Sequence, residues 1–236
     1  MALIGKPPAI SSQSEASGIT AAERKAAGRW VLTATILGSS IASIDGTAVN
    51  VALPALQEKL GATITEAQWV IEAYTLFLAA LILVGGALGD RYGRRRVYVL
   101  GIALFAISSM LCGLSQSIYQ LIAFRAIQGV GGALLIPGSL SIITVFFSPG
   151  ERGTAIGTWS AFSAITTALG PVLGGWLVEN VSWRWIFFIN VPIAAAVLTT
   201  LFLRVPESRR GVSGERVDWA GGVLATIGLG GILYGL

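Results

Sequence analysis

Histidine is absent from this chain of 236 residues, and cysteine occurs once, at Cys112. The first absence excludes histidine proton switches and histidine metal ligands, and the second excludes intrachain disulfides and cysteine-based metal sites. The sequence also has no Ser/His arrangement and no phosphate-binding loop. It therefore predicts a protein that is not an enzyme, with no catalytic residues, no metal and no cofactor.

Charge is scarce as well, and apolar residues take its place. Asp, Glu, Lys and Arg make up 12% of the chain, apolar residues make up 54%, and the mean hydropathy is +0.75. One soluble core of this size cannot bury so much apolar surface, so the sequence predicts an integral membrane protein. The net charge of +4 does not indicate nucleic-acid binding, because the basic residues cluster at the ends of apolar runs.

Seven largely uncharged stretches are long enough to cross a bilayer, which takes about 20 apolar residues. The uncharged run 97–124 is too long for one span, and the polar residues 113–117 divide it into two helices joined by a short turn. The predicted fold class is therefore all-α, a polytopic membrane protein. The predicted spans are 30–53, 69–89, 97–114, 119–146, 153–178, 185–203 and 218–236.

Basic residues give the predicted orientation. If the N-terminus is inside, all but three of the sixteen Lys and Arg lie on the inner side; Lys59 and Arg184 lie outside, and Arg125 lies within a span. Since cytoplasmic loops carry such an excess, the N-terminus is predicted to be cytoplasmic. Residues 1–29 are interpreted as a disordered cytoplasmic tail, not as a signal peptide, and residues 204–217 as a cytoplasmic loop.

Three ionisable residues lie inside predicted spans: Asp45, Glu72 and Arg125. Burying such groups in a membrane is expensive, so each is a candidate for coupling protons or substrate. Asp45 needs a cavity or a partner, and Arg125 needs a carboxylate, backbone carbonyls or an anionic substrate. A structural buried pair is the alternative for Arg125. For Glu72 the alternative is solvation at the outer surface, close to Trp69.

Two further patterns stand out. The segment GDRYGRRR (89–96) places the carboxylate of Asp90 among arginines, which suits a switchable ion pair or a helix-terminus contact. In the fifth span, Pro171 follows Gly170 in mid-helix and bends the axis, while spaced glycines leave a stripe for close helix contact.

Three segments match motifs of a known transporter family. GALGDRYGRR (86–95) resembles the motif G-x-x-x-D-R-x-G-R-R between the second and third helices of the major facilitator superfamily. LIAFRAIQGVGGA (121–133) is similar to its fourth-helix motif. GTWSAFSAITTALGPVLGG (157–175) is similar to its fifth-helix antiporter motif, with Thr166 where that motif prefers glycine.

Two more segments narrow the resemblance. IDGTAVNVALP (44–54) and WRWIFFINVP (183–192) resemble signatures of the fourteen-helix drug:proton antiporters within that superfamily. The five motifs follow one another in the family's order. The family is much longer, and the seventh span reaches Leu236 itself, which favours a truncated chain.

The resemblance implies a six-helix N-terminal transporter bundle over residues 30–203, with a seventh transmembrane helix at 218–236. It implies a secondary active transporter, a proton-coupled multidrug exporter that works by alternating access in the bacterial inner (plasma) membrane. The partners would be a small lipophilic or cationic substrate, protons and the lipid bilayer, with the proton gradient as energy source in place of a cofactor. The family's C-terminal half, or a second copy of the chain, would be a further partner.

The resemblance also implies roles for individual residues. Asp45 would bind a proton or a cation, and Arg125 would support proton coupling, while Glu72 is an extra acid to which the family pattern gives no role. A conformational latch would consist of Gly86, Asp90, Arg91, Gly93, Arg94 and Arg95, and would engage a helix of the C-terminal half. A helix-bend motif would consist of Gly157, Gly170, Pro171, Gly174 and Gly175, where the two bundles meet.

Other readings of the same residues stay open. An exporter of a sugar or an organic anion would use Arg125, whereas Asp45 suits a cation or a proton. Two copies of the chain would form a homodimeric half-transporter. A seven-helix receptor or sensor is the alternative from another class, but the last predicted span has no lysine for a retinal and no signalling domain follows it.

Overall fold

The computed structural model describes residues 21–205 and, beyond them, Gly221, Leu224, Gly228 and Gly231, all four helical. Most of the predicted seventh span, the loop 204–217 beyond Val205 and the first twenty residues of the predicted tail lie outside the described residues. Residues 21–205 contain α-helices and no strands, which confirms the all-α class. The helices are α1 (Ala21–Leu60), α2 (Ile64–Tyr92), α3 (Arg94–Leu114), α4 (Ile118–Phe146), α5 (Pro149–Asn180), α6 (Trp185–Phe188) and α7 (Asn190–Arg204).

Six helical segments of the described part are long and apolar enough to cross a membrane. Helices α1 to α5 supply five of them, and α6 and α7 together supply the sixth, Trp185–Arg204. The predicted span 185–203 is therefore broken, at Ile189. Pro192 is the physical reason, because it has no N–H for the carbonyl of Phe188 and its ring crowds that carbonyl.

Helix α1 is longer than predicted at both ends. It begins at Ala21, so the prediction of a disordered tail was wrong for residues 21–29. That segment is rich in Ala, Glu, Lys and Arg, which are strong helix formers. At its other end α1 continues through Pro54 to Leu60, and Gly61 follows with a φ of 64°, as is common after the end of a helix.

The junctions of the next helices follow from local sequence signals. A capping box of Thr63 and Glu66 starts α2 before the predicted position, since each side chain satisfies a free backbone N–H of the other. Gly93 alone separates α2 from α3 and has a φ of 108°, a conformation that favours glycine. Residues 90–96, which lie between the second and third predicted spans, are thus helical except for Gly93. We call the end of the bundle that carries the predicted latch residues, 86–95, the latch end.

Glycines allow the helices to pack closely around α4. Helix α4 packs against α1, α2 and α3, while α5 packs mainly on α1 and α7 on α1 and α3. A Cβ on Gly85 of α2 would overlap the carbonyl oxygen of Ala133 on α4, and one on Gly129 of α4 would overlap the carbonyl oxygen of Tyr74 on α2. At both points the glycine contacts the backbone of the other helix. Helices α2 and α4 can therefore approach this closely only because glycine has no side chain.

Candidate functional site

Two of the predicted intramembrane charges meet in the middle of the bundle. Asp45 on α1 and Arg125 on α4 form an ion pair in which Nη1 lies 2.5 Å from Oδ2. Their side chains are 0% and 1% exposed. The sequence predicted each residue as a candidate and left open whether Arg125 pairs with a carboxylate. The structure brings the two together from positions 80 residues apart.

Besides Asp45 on α1, Arg125 contacts residues of α2, of α6 and of its own helix, α4. Its Nε donates to the carbonyl oxygen of Val70 at 3.0 Å, and its Nη1 also donates to Oε1 of Gln128 at 2.8 Å. The guanidinium lies 4.3 Å from the ring centre of Tyr74 and 5.9 Å from that of Phe187. Contacts with ring faces stabilise a cation that has lost its water. Gly129, by admitting the backbone of Tyr74, brings that ring within reach.

The second carboxylate oxygen of Asp45 is bound by two amides. Oδ1 accepts from Nε2 of Gln128 and from Nδ2 of Asn190, both at 3.1 Å. We call Asp45, Arg125, Gln128 and Asn190 the Asp45 cluster. Its four side chains come from α1, α4 and α7, and all are at most 1% exposed. Buried charges are stabilised in this way, by a partner charge and by further hydrogen bonds to the remaining lone pairs.

Asn190 is a member of this cluster that sequence reasoning missed. The signal was present, since an asparagine inside the apolar span 185–203 needs a partner for its amide. Gln128 follows Arg125 by three residues and therefore lies on the same face of α4. What neither pattern could show is that both amides bind the same carboxylate oxygen.

The structure does not bring Glu72 to this cluster. On α2, Val70 and Tyr74 face Arg125, and Glu72 lies two positions from each, roughly 180° around the helix. It is half-buried, and among the described residues it makes no hydrogen bond or ion pair. Its coupling role stays a prediction.

At the latch end, Asp90 is paired within the bundle. Its Oδ1 accepts from Nε and Nη2 of Arg94 at 2.9 and 2.7 Å, across the Gly93 turn. Arg94 also donates to the carbonyl oxygen of Ser141 on α4, at 3.3 Å. The Arg94 side chain is 6% exposed and that of Asp90 is 45% exposed. One face of the Asp90 carboxylate is thus bound, and the other is open.

The remaining latch residues lie around this pair without joining it. Arg91 stacks over its neighbour Tyr92, and Arg95 lies over the ring of Phe202 on α7. A Cβ on Gly86 would lie 3.8 Å from Cβ of Pro137, an ordinary contact. Among the residues predicted to form the latch, Asp90 and Arg94 are thus in direct contact.

Only part of the helix-bend motif makes close contacts. A Cβ on Gly170 would overlap Oγ1 of Thr47, and one on Gly174 would lie 2.9 Å from the carbonyl oxygen of Ala48, so these two glycines seat α5 on α1. Gly157 has open space around it, Gly175 has an ordinary contact, and Pro171 is exposed. Helix α5 is continuous from Pro149 to Asn180.

A cavity of about 690 Å³ opens at the latch end between the start of α1, the end of α4 and the start of α5. Its lining includes Arg29, Phe146, Phe147 and Glu151. Neither Asp45 nor Arg125 lines it. The cavity and the buried ion pair are therefore separate features of the bundle.

Comparison with known proteins decides the family. The family model described as Major Facilitator Superfamily matches residues 35–234, which is more than half of the chain. The chain belongs to the Major Facilitator Superfamily. This confirms the family predicted from the five motifs.

Several curated relatives of this chain are named as resistance or export proteins. It is 38% identical to the tetracenomycin C resistance and export protein of Streptomyces glaucescens, over 87% of this chain and 38% of that protein. It is 41% identical to a puromycin resistance protein of Streptomyces alboniger, over 87% and 41%. The methylenomycin A resistance protein of Bacillus subtilis is 39% identical, over 93% and 47%. The chain spans less than half the length of these curated relatives.

Solved structures of the superfamily share the fold. A bacterial homologue of the human lysosomal transporter Spinster, in an inward-facing and occupied conformation, matches with a TM-score of 0.63 at 25% identity, over 78% of this chain and 46% of that one. The peptide transporter POT in complex with sulfate matches with a TM-score of 0.66 at 16% identity, over 87% and 44%. At 16% identity the second likeness shows the fold alone.

The contact between Asp90 and Arg94 gives a first testable prediction. Arg94→Lys keeps the charge but loses the fixed planar geometry of the two bonds to Asp90 and the bond to Ser141. We expect the free energy of unfolding to fall by about 1–2 kcal/mol, because lysine keeps the charge and only part of the roughly 1.5–3 kcal/mol of a hydrogen bond to a charged group is lost. Thermal unfolding of the purified protein, followed by tryptophan fluorescence, measures this.

Arg91→Lys is the matched control. Arg91 is exposed and stacks on Tyr92, so this exchange should change the unfolding free energy by less than about 1 kcal/mol. Equal midpoints for the two variants would show that Arg94 is no more important to the fold than a surface arginine.

Proposed function

We propose that this chain is the N-terminal bundle of a proton-coupled exporter of small lipophilic or cationic compounds. It lies in the bacterial inner membrane with its N-terminus in the cytoplasm, and it works by alternating access. The observation that carries the proposal is the Asp45 cluster, because a carboxylate with no exposed surface sits beside an arginine in the middle of a membrane-spanning bundle. Intramembrane pairs of this kind mark proton and substrate paths.

The chemistry of the cluster fits a proton carrier. A proton on Asp45 cancels the negative charge that binds Arg125, and the arginine then keeps Gln128, the carbonyl of Val70 and the ring of Tyr74. Proton binding and release on α1 would therefore change the electrostatic attraction between α1 and α4. That change is a switch that the rest of the transporter can use for its conformational cycle.

The same cluster favours a proton or a cation over an organic anion as the species bound here. The charge of Arg125 is matched by Asp45, so an anionic substrate would have to displace a buried carboxylate. The names of the resistance and export relatives agree with drug-like substrates. We infer that the substrate enters from the latch end, where the 690 Å³ cavity opens.

A further half completes this transporter. Helix α5 buries only Ala155, Gly170 and Gly174, so most of its length is open on the described bundle. We propose that α5 is covered either by a bundle that corresponds to the remaining half of the relatives' length or by a second copy of the chain. Alternating access needs one bundle to move against another around a site between them.

Reconstitution tests the proposed function. The protein expressed from its complete reading frame is placed in liposomes with a pH gradient, and a lipophilic fluorescent cation is the probe. We expect cation-dependent proton flux and gradient-driven accumulation, and we expect Asp45→Asn to abolish both, because an amide cannot carry the proton. Residues 1–236 alone should give no flux, since they span less than half the length of the curated relatives.

Two results would overturn the proposal. One is accumulation of the probe that is unaffected by collapsing the pH gradient. The other is proton flux in Asp45→Asn equal to that of the wild type. Full coupled transport by residues 1–236 would overturn the need for a second half and would favour the homodimer, which crosslinking in the same liposomes detects.

A further inference from the structure

Asn190 is buried at the start of α7 with one side of its amide unused. The residue is 1% exposed, and its Nδ2 donates to Oδ1 of Asp45 at 3.1 Å and to Oγ of Ser109 on α3 at 2.9 Å. Its Oδ1 is buried and has no hydrogen-bond donor in the described part of the chain. An unpaired buried acceptor destabilises the fold, so its retention calls for an explanation.

The orientation of this amide belongs to the ionised state of Asp45. With Arg125 on Oδ2, the carboxylate offers only acceptor lone pairs, and Oδ1 can be met only by donors. Turning the Asn190 amide by half a rotation would place its Oδ1 against Oδ1 of Asp45, and two acceptors would then repel. As long as Asp45 is charged, Nδ2 must face it.

A proton from water reverses this requirement. When Asp45 gains one proton, its new O–H needs an acceptor. Oδ2 faces Nη1 of Arg125, which only donates, so the O–H belongs on Oδ1. Oδ1 faces the amide nitrogens of Gln128 and Asn190, and one of these amides must turn to present its oxygen.

The two amides differ in what turning would break. Oε1 of Gln128 accepts from Nη1 of Arg125 at 2.8 Å, so turning Gln128 would put its NH₂ against the guanidinium. Oδ1 of Asn190 has no donor to lose. Turning the Asn190 amide breaks the bonds from Nδ2 to Asp45 and to Ser109, and the first is replaced by the new O–H of Asp45, which donates to Oδ1. The amide that turns at the lower free-energy cost is Asn190.

We propose that the Asn190 side chain changes orientation with the protonation state of Asp45. Its Nδ2 donates to the carboxylate, and after the amide turns its Oδ1 accepts from the carboxylic acid. The O–H bond of Asp45 forms as a solvent hydronium ion gives up its proton and becomes water, and no other covalent bond forms or breaks. The inference rests on the proposed function, because it gives the proposed proton carrier a partner on α7. Asn190 acts through Asp45 and is a positioning residue.

The change of orientation of Asn190 also affects a residue outside the Asp45 cluster, Ser109 on α3. Its Oγ accepts from Asn190 and donates to the carbonyl oxygen of Phe187 on α6 at 2.9 Å. When the amide turns, α7 loses its donor bond to α3 beside the break at Ile189. Protonation on α1 thus changes a contact between α3 and α7.

Other groups that face the cluster come from the neighbouring helices. They are Arg125 from α4, Tyr74 from α2 and Cys112 from α3, whose Sγ lies 3.7 Å from Oε1 of Gln128. Asp45 and Arg125 carry the two formal charges among them. Asp45 is therefore the group to which a pH response of Asn190 is assigned.

Solid-state NMR of the 236-residue chain in lipid bilayers tests the inference. The sequence has three asparagines, Asn50, Asn180 and Asn190, and three aspartates, so selective labelling of asparagine side-chain nitrogen and aspartate carboxyl carbon gives few signals. Loss of one amide signal in Asn190→Leu, or in the isosteric Asn190→Asp if the first does not fold, assigns Asn190. Asp45→Asn assigns the carboxyl in the same way.

We expect the Asn190 amide signal to shift on acidification together with the Asp45 carboxyl signal, and to stay fixed in Asp45→Asn. The signal of Asn180, an exposed residue bonded to the carbonyl of Trp176, is the internal control and should stay fixed throughout. If Asp45 titrates and Asn190 does not respond, the inference is wrong while the proposed function stands. If Asp45 never titrates, both are wrong.

Discussion

Arg125→Met should lower the free energy of unfolding by about 3–5 kcal/mol, because it leaves the carboxylate of Asp45 buried without its charged partner. Asp45→Leu should have a similar effect, since it leaves the guanidinium unpaired. The double variant should recover much of this loss, because two apolar side chains of suitable volume often replace a buried ion pair without net cost. Gradient-driven export should be absent in all three. Thermal unfolding and the liposome assay measure the two effects separately.

The matched control for this experiment is Arg152→Met. Arg152 is exposed, and its Nε donates to the carbonyl oxygen of Phe147, so its removal should cost less than about 1.5 kcal/mol. A double variant as unstable as the worse single variant would show that Asp45 and Arg125 do not act as a pair. Export by the refolded double variant would show that the pair is structural only.

The existence of the six described spans was predictable from the sequence, and their ends were less so. An apolar run of the right length must become a helix in a membrane, because its backbone groups have no other partners there. The ends depend on single residues instead. Thr63 starts α2 early through its capping box, and Gly93 reduces a predicted loop to one residue. Pro192 breaks a span that hydropathy shows as continuous.

The members of the site were easier to predict than their contacts. Asp45 and Arg125 were candidates because a buried charge is costly anywhere in a bilayer. Their pairing joins α1 to α4 across 80 residues, and hydropathy carries no information about which helices are neighbours. The same cost of burying a charge made Glu72 a candidate, but Glu72 lies on the other face of α2. Helical position relative to Val70 and Tyr74 separates it from the pair, once it is known that those two residues face Arg125.

Gly85→Ala should lower the free energy of unfolding by about 2–3 kcal/mol, although alanine is the better helix former. The added Cβ would overlap the carbonyl oxygen of Ala133, which is part of the α4 backbone and cannot turn aside as a side chain does. Helices α2 and α4 must therefore separate along their contact. Since Val70 and Tyr74 of α2 hold Arg125, the separation should weaken the Asp45 cluster as well.

Gly153→Ala is the control that isolates close packing from helix propensity. Gly153 lies near the start of α5 and a Cβ there would meet open space, so this change should be neutral or raise stability by up to about 1 kcal/mol. Both variants are compared by thermal unfolding, and Gly85→Val should be less stable than Gly85→Ala because its side chain is larger. If Gly85→Ala and Gly153→Ala unfold at the same temperature, the α2–α4 backbone contact does not limit the fold, and the position of Tyr74 over Arg125 must be fixed by other contacts.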